Sequence, residues 1–187
     1  IAADRKAGLF VAVLGFSEVV ELGTGNWLVS YLRGAHGMGA DESAQFLSLF
    51  FVAFTIGRLI GGYLMERLGY VRGMRWFIVL TVVLYASAMA MGLSGAWLIS
   101  AAGFFISILF PTVMAIIMKE YPASTSSVMG FIITASGGVN MVFNWVIGQT
   151  SDLLGVTAGF GSLILYALLV IGFLALLDRR LVFNKGR

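Results

Sequence analysis

The sequence predicts an all-α membrane protein, a bundle of six transmembrane helices. Hydrophobic residues make up 59% of its 187 residues and charged residues 11%, and the mean hydropathy is +0.96. A soluble chain of this composition would be covered in apolar surface, so lipid is its natural solvent. Most of the 12 Lys and Arg residues lie at the ends of apolar stretches. We interpret them as topology signals rather than as a nucleic-acid surface.

Six apolar stretches are long enough to cross the hydrocarbon layer, which takes about 20 helical residues. They form a single domain over residues 1–187. Residues 41–43 are expected to cap the second stretch, Ser94 and Gly95 to turn the chain before the fourth, and Pro122 to open the fifth. The predicted spans are 7–31, 43–65, 74–93, 96–118, 125–149 and 159–177.

The positions of the basic residues predict the orientation, because Lys and Arg are retained on the cytoplasmic side. Ten of them fall on the side that carries both termini, whereas Arg33 alone falls on the other side and Arg58 lies within a span. We therefore predict a multi-pass protein of the cell membrane, inner or plasma, with both termini in the cytoplasm. The ten are Arg5, Lys6, Arg67, Arg72, Arg75, Lys119, Arg179, Arg180, Lys185 and Arg187.

Three ionisable residues within the spans are candidates for proton coupling. Glu18 and Glu21 are three residues apart on the first span, and an intramembrane carboxyl group is retained only at a cost in free energy. The helix rise puts Glu18 roughly 16 Å and Arg58 roughly 10 Å from the cytoplasmic side. We predict that Glu18 pairs with Arg58 and that the pair sets the protonation of Glu21. The alternatives are a static ion pair beside a neutral carboxyl group, and an Arg58 that snorkels to the interface.

Amide side chains suggest where a solute binds. Asn140 and Asn144 lie one turn apart on the fifth span, and Asn26 and Trp27 lie near the outer end of the first. Amides both donate and accept hydrogen bonds, which suits a hydroxyl-rich solute such as a sugar. The alternatives are hydrogen bonds between helices for the amides and an interfacial position for Trp27.

Small residues and a proline predict how the spans pack. Pro111 should kink the fourth span, since it lacks an N–H and its ring clashes with the preceding turn. Gly57 and Gly61 form a small-xxx-small pair, and Gly130, Thr134 and Gly138 form a similar pattern. Spans three and six carry no strongly polar side chain, so we expect spans one, two, four and five to surround a polar face with three and six outside, against lipid.

The segment between spans two and three carries a known motif. It reads Gly62-Tyr-Leu-Met-Glu66-Arg67-Leu-Gly69-Tyr-Val-Arg72 and resembles the loop signature of the major facilitator superfamily, with Glu66 where the family more often has Asp. The resemblance implies that Gly62, Glu66, Arg67 and Gly69 form a conformational latch on the cytoplasmic side. The alternative is an ordinary charged turn.

Further segments are similar to the C-terminal half of the fucose permease branch, which contains sugar/proton symporters. The resemblance implies one half of a transporter, a 3+3 inverted repeat whose N-terminal half is absent from this chain, and solute transport by alternating access between two halves. The substrate, the coupling ion, and symport rather than antiport stay open. The segments are 21–31, 56–58, 107–112, 137–138 and 148–152.

The function classes follow from these residues. Cys is absent and His36 is the only His, so we expect no metal site, no cofactor and no enzymatic activity. We predict proton-coupled symport of a small hydrophilic solute, with lipid, protons and either an N-terminal six-helix half or a second copy of the chain as partners. A homodimeric half-size transporter and a membrane scaffold without transport are the alternatives.

Overall fold

A computed structural model of the chain describes residues 4–181; the predicted cytoplasmic residues Lys185 and Arg187 lie outside the described residues. This range is all-helical and contains no strand. Within residues 4–181, seven α-helices and one 3-10 turn follow each other. They are α1 (Arg5–His36), α2 (Ala40–Leu68), α3 (Tyr70–Met91), the turn Gly92–Gly95, α4 (Ala96–Ile106), α5 (Leu109–Glu120), α6 (Thr125–Leu154) and α7 (Val156–Asp178).

Five helical stretches of the described chain are long and apolar enough to cross a membrane, so the chain is a multi-pass membrane protein. Four of them are α1, α2, α6 and α7. The fifth, Tyr70–Glu120, is 51 residues long and covers two of the predicted spans. Within it α4 packs along α3, so the chain folds back at the turn Gly92–Gly95, where Gly92 has a φ of 62° that favours glycine.

The ends of α2 differ in part from the prediction. Gly39 is the N-cap residue, and Asp41 and Glu42 lie in the first helical turn instead of capping it. The two acidic residues still complement the positive end of the helix dipole there. At the other end Gly69 has a φ of 81°, a conformation that few residues other than glycine adopt, and it separates α2 from α3.

α1 is the central helix of the bundle. It packs mainly against α7 and α6 and also against α2, while α2 packs against α4, and α3 against α4 and α7. Most of α2 and α6 lies on the surface. α3 and α7 expose apolar side chains such as Trp76 and Leu165, as expected for lipid-facing helices. The prediction that they lie outside holds only in part, because α7 is also a principal neighbour of α1.

Two of the predicted glycine contacts bring α2 very close to α4. A Cβ atom at Gly57 would collide with the carbonyl oxygen of Phe104, and one at Gly61 would lie 2.5 Å from a side-chain carbon at the break between α4 and α5. These positions therefore require glycine. Gly130 and Gly138 differ, because a Cβ atom at either would meet no atom within 4 Å among the described residues. Within residues 4–181 no neighbouring helix approaches closely at these two glycines.

The helix that contains Pro111 is interrupted over two residues, Ser107 and Ile108, just before the predicted kink. α4 ends at Ile106 and α5 begins at Leu109. Pro111 cannot bond to the carbonyl of Ser107, four residues earlier, and its ring displaces that carbonyl. The α-helical bonding starts again with Thr112, whose N–H donates to the Ile108 carbonyl oxygen at 3.2 Å.

Side chains at the charged end of the bundle fasten α5 to α1. Lys6 Nζ lies 3.0 Å from Glu120 Oε2, and the Glu120 side chain is only 1% exposed. The Tyr121 hydroxyl donates to Asp4 Oδ2 at 2.5 Å. This hydrogen bond lowers the pKa of Asp4, while burial, together with the same bond, raises the pKa of Tyr121.

Candidate functional site

Polar side chains from three helices meet along the open face of α1. This face lies where α2 and α6 both pack against α1, and it exposes Leu22 and Asn26, one turn apart. Glu18 and Glu21 lie beside the same face and are partly exposed. Because spans of a bundle gain nothing from carrying such groups toward lipid, this face is the candidate site.

An ion pair joins α1 to α2 within the site. Arg58 Nη2 lies 3.2 Å from Glu21 Oε1, and the two side chains are 44% and 15% exposed. The Arg58 guanidinium carbon also lies 4.6 Å from the centroid of the Phe54 ring and 5.9 Å from that of Phe110. A carboxylate and two aromatic faces thus hold the Arg58 side chain in the middle part of α2.

The predicted pairing of Glu18 with Arg58 is wrong. Glu18 interacts with Ser136 on α6, whose hydroxyl donates to the Ile133 carbonyl oxygen at 3.0 Å, whereas Glu21 bonds to Arg58 on α2. The two carboxyl groups lie about 60° apart around the helix axis. The prediction compared the depths of Glu18 and Arg58 along their helices, but a depth carries no information about rotation around the helix axis, and rotation decides which carboxyl group Arg58 meets. The alternative in which Arg58 snorkels to the interface is not observed either, since its guanidinium bonds to Glu21.

The predicted amide groups form a chain from α1 to α6. Asn26 Nδ2 donates to Asn144 Oδ1 at 3.4 Å, and Asn144 Nδ2 donates to Asn140 Oδ1 at 2.7 Å. The long Asn26 bond is weak by geometry, and Asn26 is exposed. No residue in the range 4–181 accepts a hydrogen bond from the Asn140 amide nitrogen. The chain of amides therefore joins two helices and still has donors to offer a solute.

Trp27 closes the gap between α1 and α6 next to these amides. A Cβ atom at Gly148 would lie 3.3 Å from its six-membered ring, so the indole rests on the glycine surface of α6. Trp27 is only partly buried. It shapes the wall of the site between α1 and α6.

Ser136 is the polar residue of this site that the sequence-based prediction missed. With Asn140 and Asn144 it forms a polar stripe at intervals of four residues along α6. That spacing puts all three side chains on one helix face. This spacing is the feature of the sequence that could have identified Ser136 as part of the site. It also marks the face of α6 that is turned toward α1.

The predicted latch residues lie at the end of α2 without pairing to a neighbouring helix. The Arg67 guanidinium carbon lies 4.5 Å from the ring centroid of Tyr63 on the same helix. Glu66 is exposed and has no ion pair within the part of the chain that the structure describes. Gly62 faces open space and Gly69 provides the positive φ of the turn. The structure therefore presents Glu66 at the surface.

The site offers carboxyl groups, a guanidinium and amides, a set that can exchange protons and bind hydroxyl groups. Comparison with curated proteins also points to a transporter of hydroxyl-rich solutes. The chain is similar to proteins named as sugar transporters. It is 25% identical over 171 residues to the glucose/galactose transporter of Brucella abortus, a match that covers 84% of this chain and 41% of the relative.

A second relative is the putative glucose/galactose transporter of Helicobacter pylori, which is 27% identical over 161 residues covering 86% of this chain and 37% of the relative. The chain thus spans about two fifths of the length of the curated relatives it matches. No family model matches the chain. The names of the relatives point to a protein that is not an enzyme, in agreement with the prediction.

Proposed function

We propose that this chain is the C-terminal half of a sugar transporter of the major facilitator superfamily, which carries a hexose such as glucose or galactose by proton-coupled symport. The names of the relatives support the substrate class. The ion pair between Glu21 and Arg58 is the main observation that supports proton coupling, because it holds a carboxyl group and its cation on the open face of the central helix.

The proposed mechanism uses the charge on Glu21. A proton that binds Glu21 removes the negative charge that holds Arg58, and the contact between α1 and α2 loses its electrostatic part. The amides of Asn140 and Asn144 lie on the other wall of the same face and bind the sugar hydroxyl groups. Proton and sugar then act on α2 and α6 from opposite sides of α1, which couples their binding.

Six crossings follow from this proposal. The long stretch Tyr70–Glu120 would cross the membrane twice, with the turn Gly92–Gly95 on the outer side. The packing of α4 along α3 supports this arrangement. Both termini would lie in the cytoplasm, as the basic residues predict.

The proposal also requires a partner for the open face. Asn26 and Arg58 are exposed there, and polar groups at this depth need protein or water rather than lipid. We propose an N-terminal six-helix half, related to this one by an axis along the membrane normal. A second copy of the chain is the alternative partner. The mass of the native product distinguishes them, since one near twice 20.1 kDa indicates a covalently joined half.

Uptake by the complete transporter in liposomes tests the function. Labelled glucose or galactose should accumulate when the lumen is made alkaline relative to the outside. Glu21→Gln should abolish this accumulation and retain exchange of labelled for unlabelled sugar, because exchange needs no net proton movement. Glu42→Gln, a change of an exposed carboxyl group at the start of α2, is the matched control. Accumulation by Glu21→Gln at the normal rate would contradict the proposal.

A further inference from the structure

A small groove lies between α1 and α7 at the end of the bundle where the basic residues collect. Its volume is about 280 Å³. Two arginines, Arg5 and Arg180, stand at its charged end, and the side chains of Leu9 and Leu176 form its walls. Gly8 lines it as well and leaves it open, since a Cβ atom there would meet nothing within 4 Å.

The two arginines are not used elsewhere in the described fold. Neither makes an ion pair or a hydrogen bond within residues 4–181, and both are exposed. The nearest acidic residues in sequence are engaged: Asp4 accepts a hydrogen bond from Tyr121, and Asp178 forms an ion pair of 2.9 Å with Arg75. The groove therefore combines two arginines that form no ion pair within residues 4–181 with apolar walls.

We propose that this groove binds the head group of an anionic phospholipid. Guanidinium groups bind phosphate oxygens in bidentate geometry, and basic pockets between transmembrane helices suit anionic head groups. The leucine walls contact the first part of one acyl chain. The volume, at the lower limit of ligand pockets of about 300–1,000 Å³, fits a head group and a short length of chain. This inference rests on the membrane location and does not depend on transport.

The groove position gives the lipid a structural role. α7 is a principal neighbour of the central helix α1, and the two helices part at Gly8, where a side chain is missing. A phosphate between Arg5 and Arg180 would neutralise the repulsion between these two charges and bridge the helix ends. The bound lipid would hold α7 against α1 at the membrane surface.

Native mass spectrometry of the full chain in a neutral detergent tests the proposal. The chain is titrated with phosphatidylglycerol or with phosphatidylcholine of the same acyl chains. We expect tighter retention of phosphatidylglycerol, weakened about fivefold by Arg180→Gln and more by the double change of Arg5 and Arg180. Gly8→Leu places a side chain in the groove, where its Cβ atom would meet nothing within 4 Å, and should also reduce retention. Arg179→Gln removes the same charge one position away, does not line the groove and should leave retention unchanged.

Circular dichroism melting of each variant shows whether it is folded. Equal retention of the two lipids, or an equal effect of Arg179→Gln and Arg180→Gln, would overturn the proposal, because either result indicates attraction without a site. Inorganic phosphate is the remaining probe. Displacement of phosphatidylglycerol by inorganic phosphate at equal concentration would also overturn it, since the site would then bind a soluble anion rather than a lipid.

Discussion

Arg58 forms an ion pair with Glu21 across the contact between α1 and α2, with 3.2 Å between Nη2 and Oε1. Glu18 lies on the side of α1 that packs against α6. Two carboxyl groups on one helix thus belong to different interhelical contacts. Glu21 pairs with a cation on α2, whereas Glu18 interacts with Ser136 on α6. Their substitution should therefore have different effects, although they lie less than one turn apart.

The ion pair predicts an energetic coupling between Arg58 and Glu21. Arg58→Gln and Glu21→Gln should each lower the free energy of unfolding by about 1 kcal/mol, because each leaves a partly buried charge unpaired. The double variant should lose less than the sum of the two. Chemical denaturation in detergent measures the free energies of unfolding for this double-mutant cycle. A second cycle that combines Arg58→Gln with Glu18→Gln is the control, and its two single losses of stability are expected to add. A coupling with Glu18 instead would contradict the structure.

Asn144 should matter for solute binding more than for the fold. It is the middle of the amide chain, with bonds to Asn26 and Asn140. Asn144→Ala removes about 1 kcal/mol of hydrogen bonding to the solute, so KM for sugar uptake should rise about fivefold. Thermal stability should fall only slightly, since polar contacts between membrane helices average about 0.6 kcal/mol. Loss of stability with an unchanged KM would show that the amides serve only to join helices.

The bond between Tyr121 and Asp4 predicts a pH-dependent stability. Because the bond lowers the pKa of Asp4, it stabilises the fold above the unfolded value of about 4 and this stability is lost as the pH falls through the folded pKa. Tyr121→Phe should cost about 1 kcal/mol at pH 7, given the partial exposure of the pair, and much less near pH 3. Melting temperatures between pH 3 and 7 measure this.

Tyr63→Phe is the control for that series, because the Tyr63 hydroxyl has no hydrogen bond within residues 4–181. It should leave the pH profile unchanged. If Tyr121→Phe lowers the melting temperature by the same amount at pH 3 and at pH 7, the hydroxyl acts through packing alone.

The close approach of α2 and α4 predicts a strict need for glycine at position 57. Gly57→Ala puts a methyl group against the Phe104 carbonyl oxygen and should destabilise the fold by about 1–3 kcal/mol, since the backbones must separate. Gly138→Ala is the matched control: it is a glycine on a spanning helix with open space around it, and the change should be neutral or stabilising. Equal melting temperatures for the two variants would contradict the packing.

The proposed orientation can be tested directly because the chain contains no Cys. Single cysteines introduced as Gly39→Cys and Ser94→Cys should react with an impermeant maleimide from outside the cell. Ser124→Cys, at the start of α6, should react only after permeabilisation. Labelling of position 94 from the opposite side to position 39 would show that Tyr70–Glu120 does not cross twice.

Helix content and the main break were predictable because they depend on local chemistry. The apolar lengths predict the helices, and Pro111 predicts an interruption wherever its ring meets the preceding turn. The partner of Arg58 was not predictable, because it depends on how α1 is rotated against α2. Gly130 and Gly138 show the same limit: a small-residue pattern says that a helix can be approached closely but not whether a neighbour is there.

The break before Pro111 has a mechanical consequence. Before the break, α4 packs closely against α2 at Gly57. After the break, α5 is held to α1 by the ion pair of Glu120 with Lys6. The two segments of one span are thus anchored to different neighbours. A rotation of α2 relative to α1 would therefore load the two residues between these segments, Ser107 and Ile108.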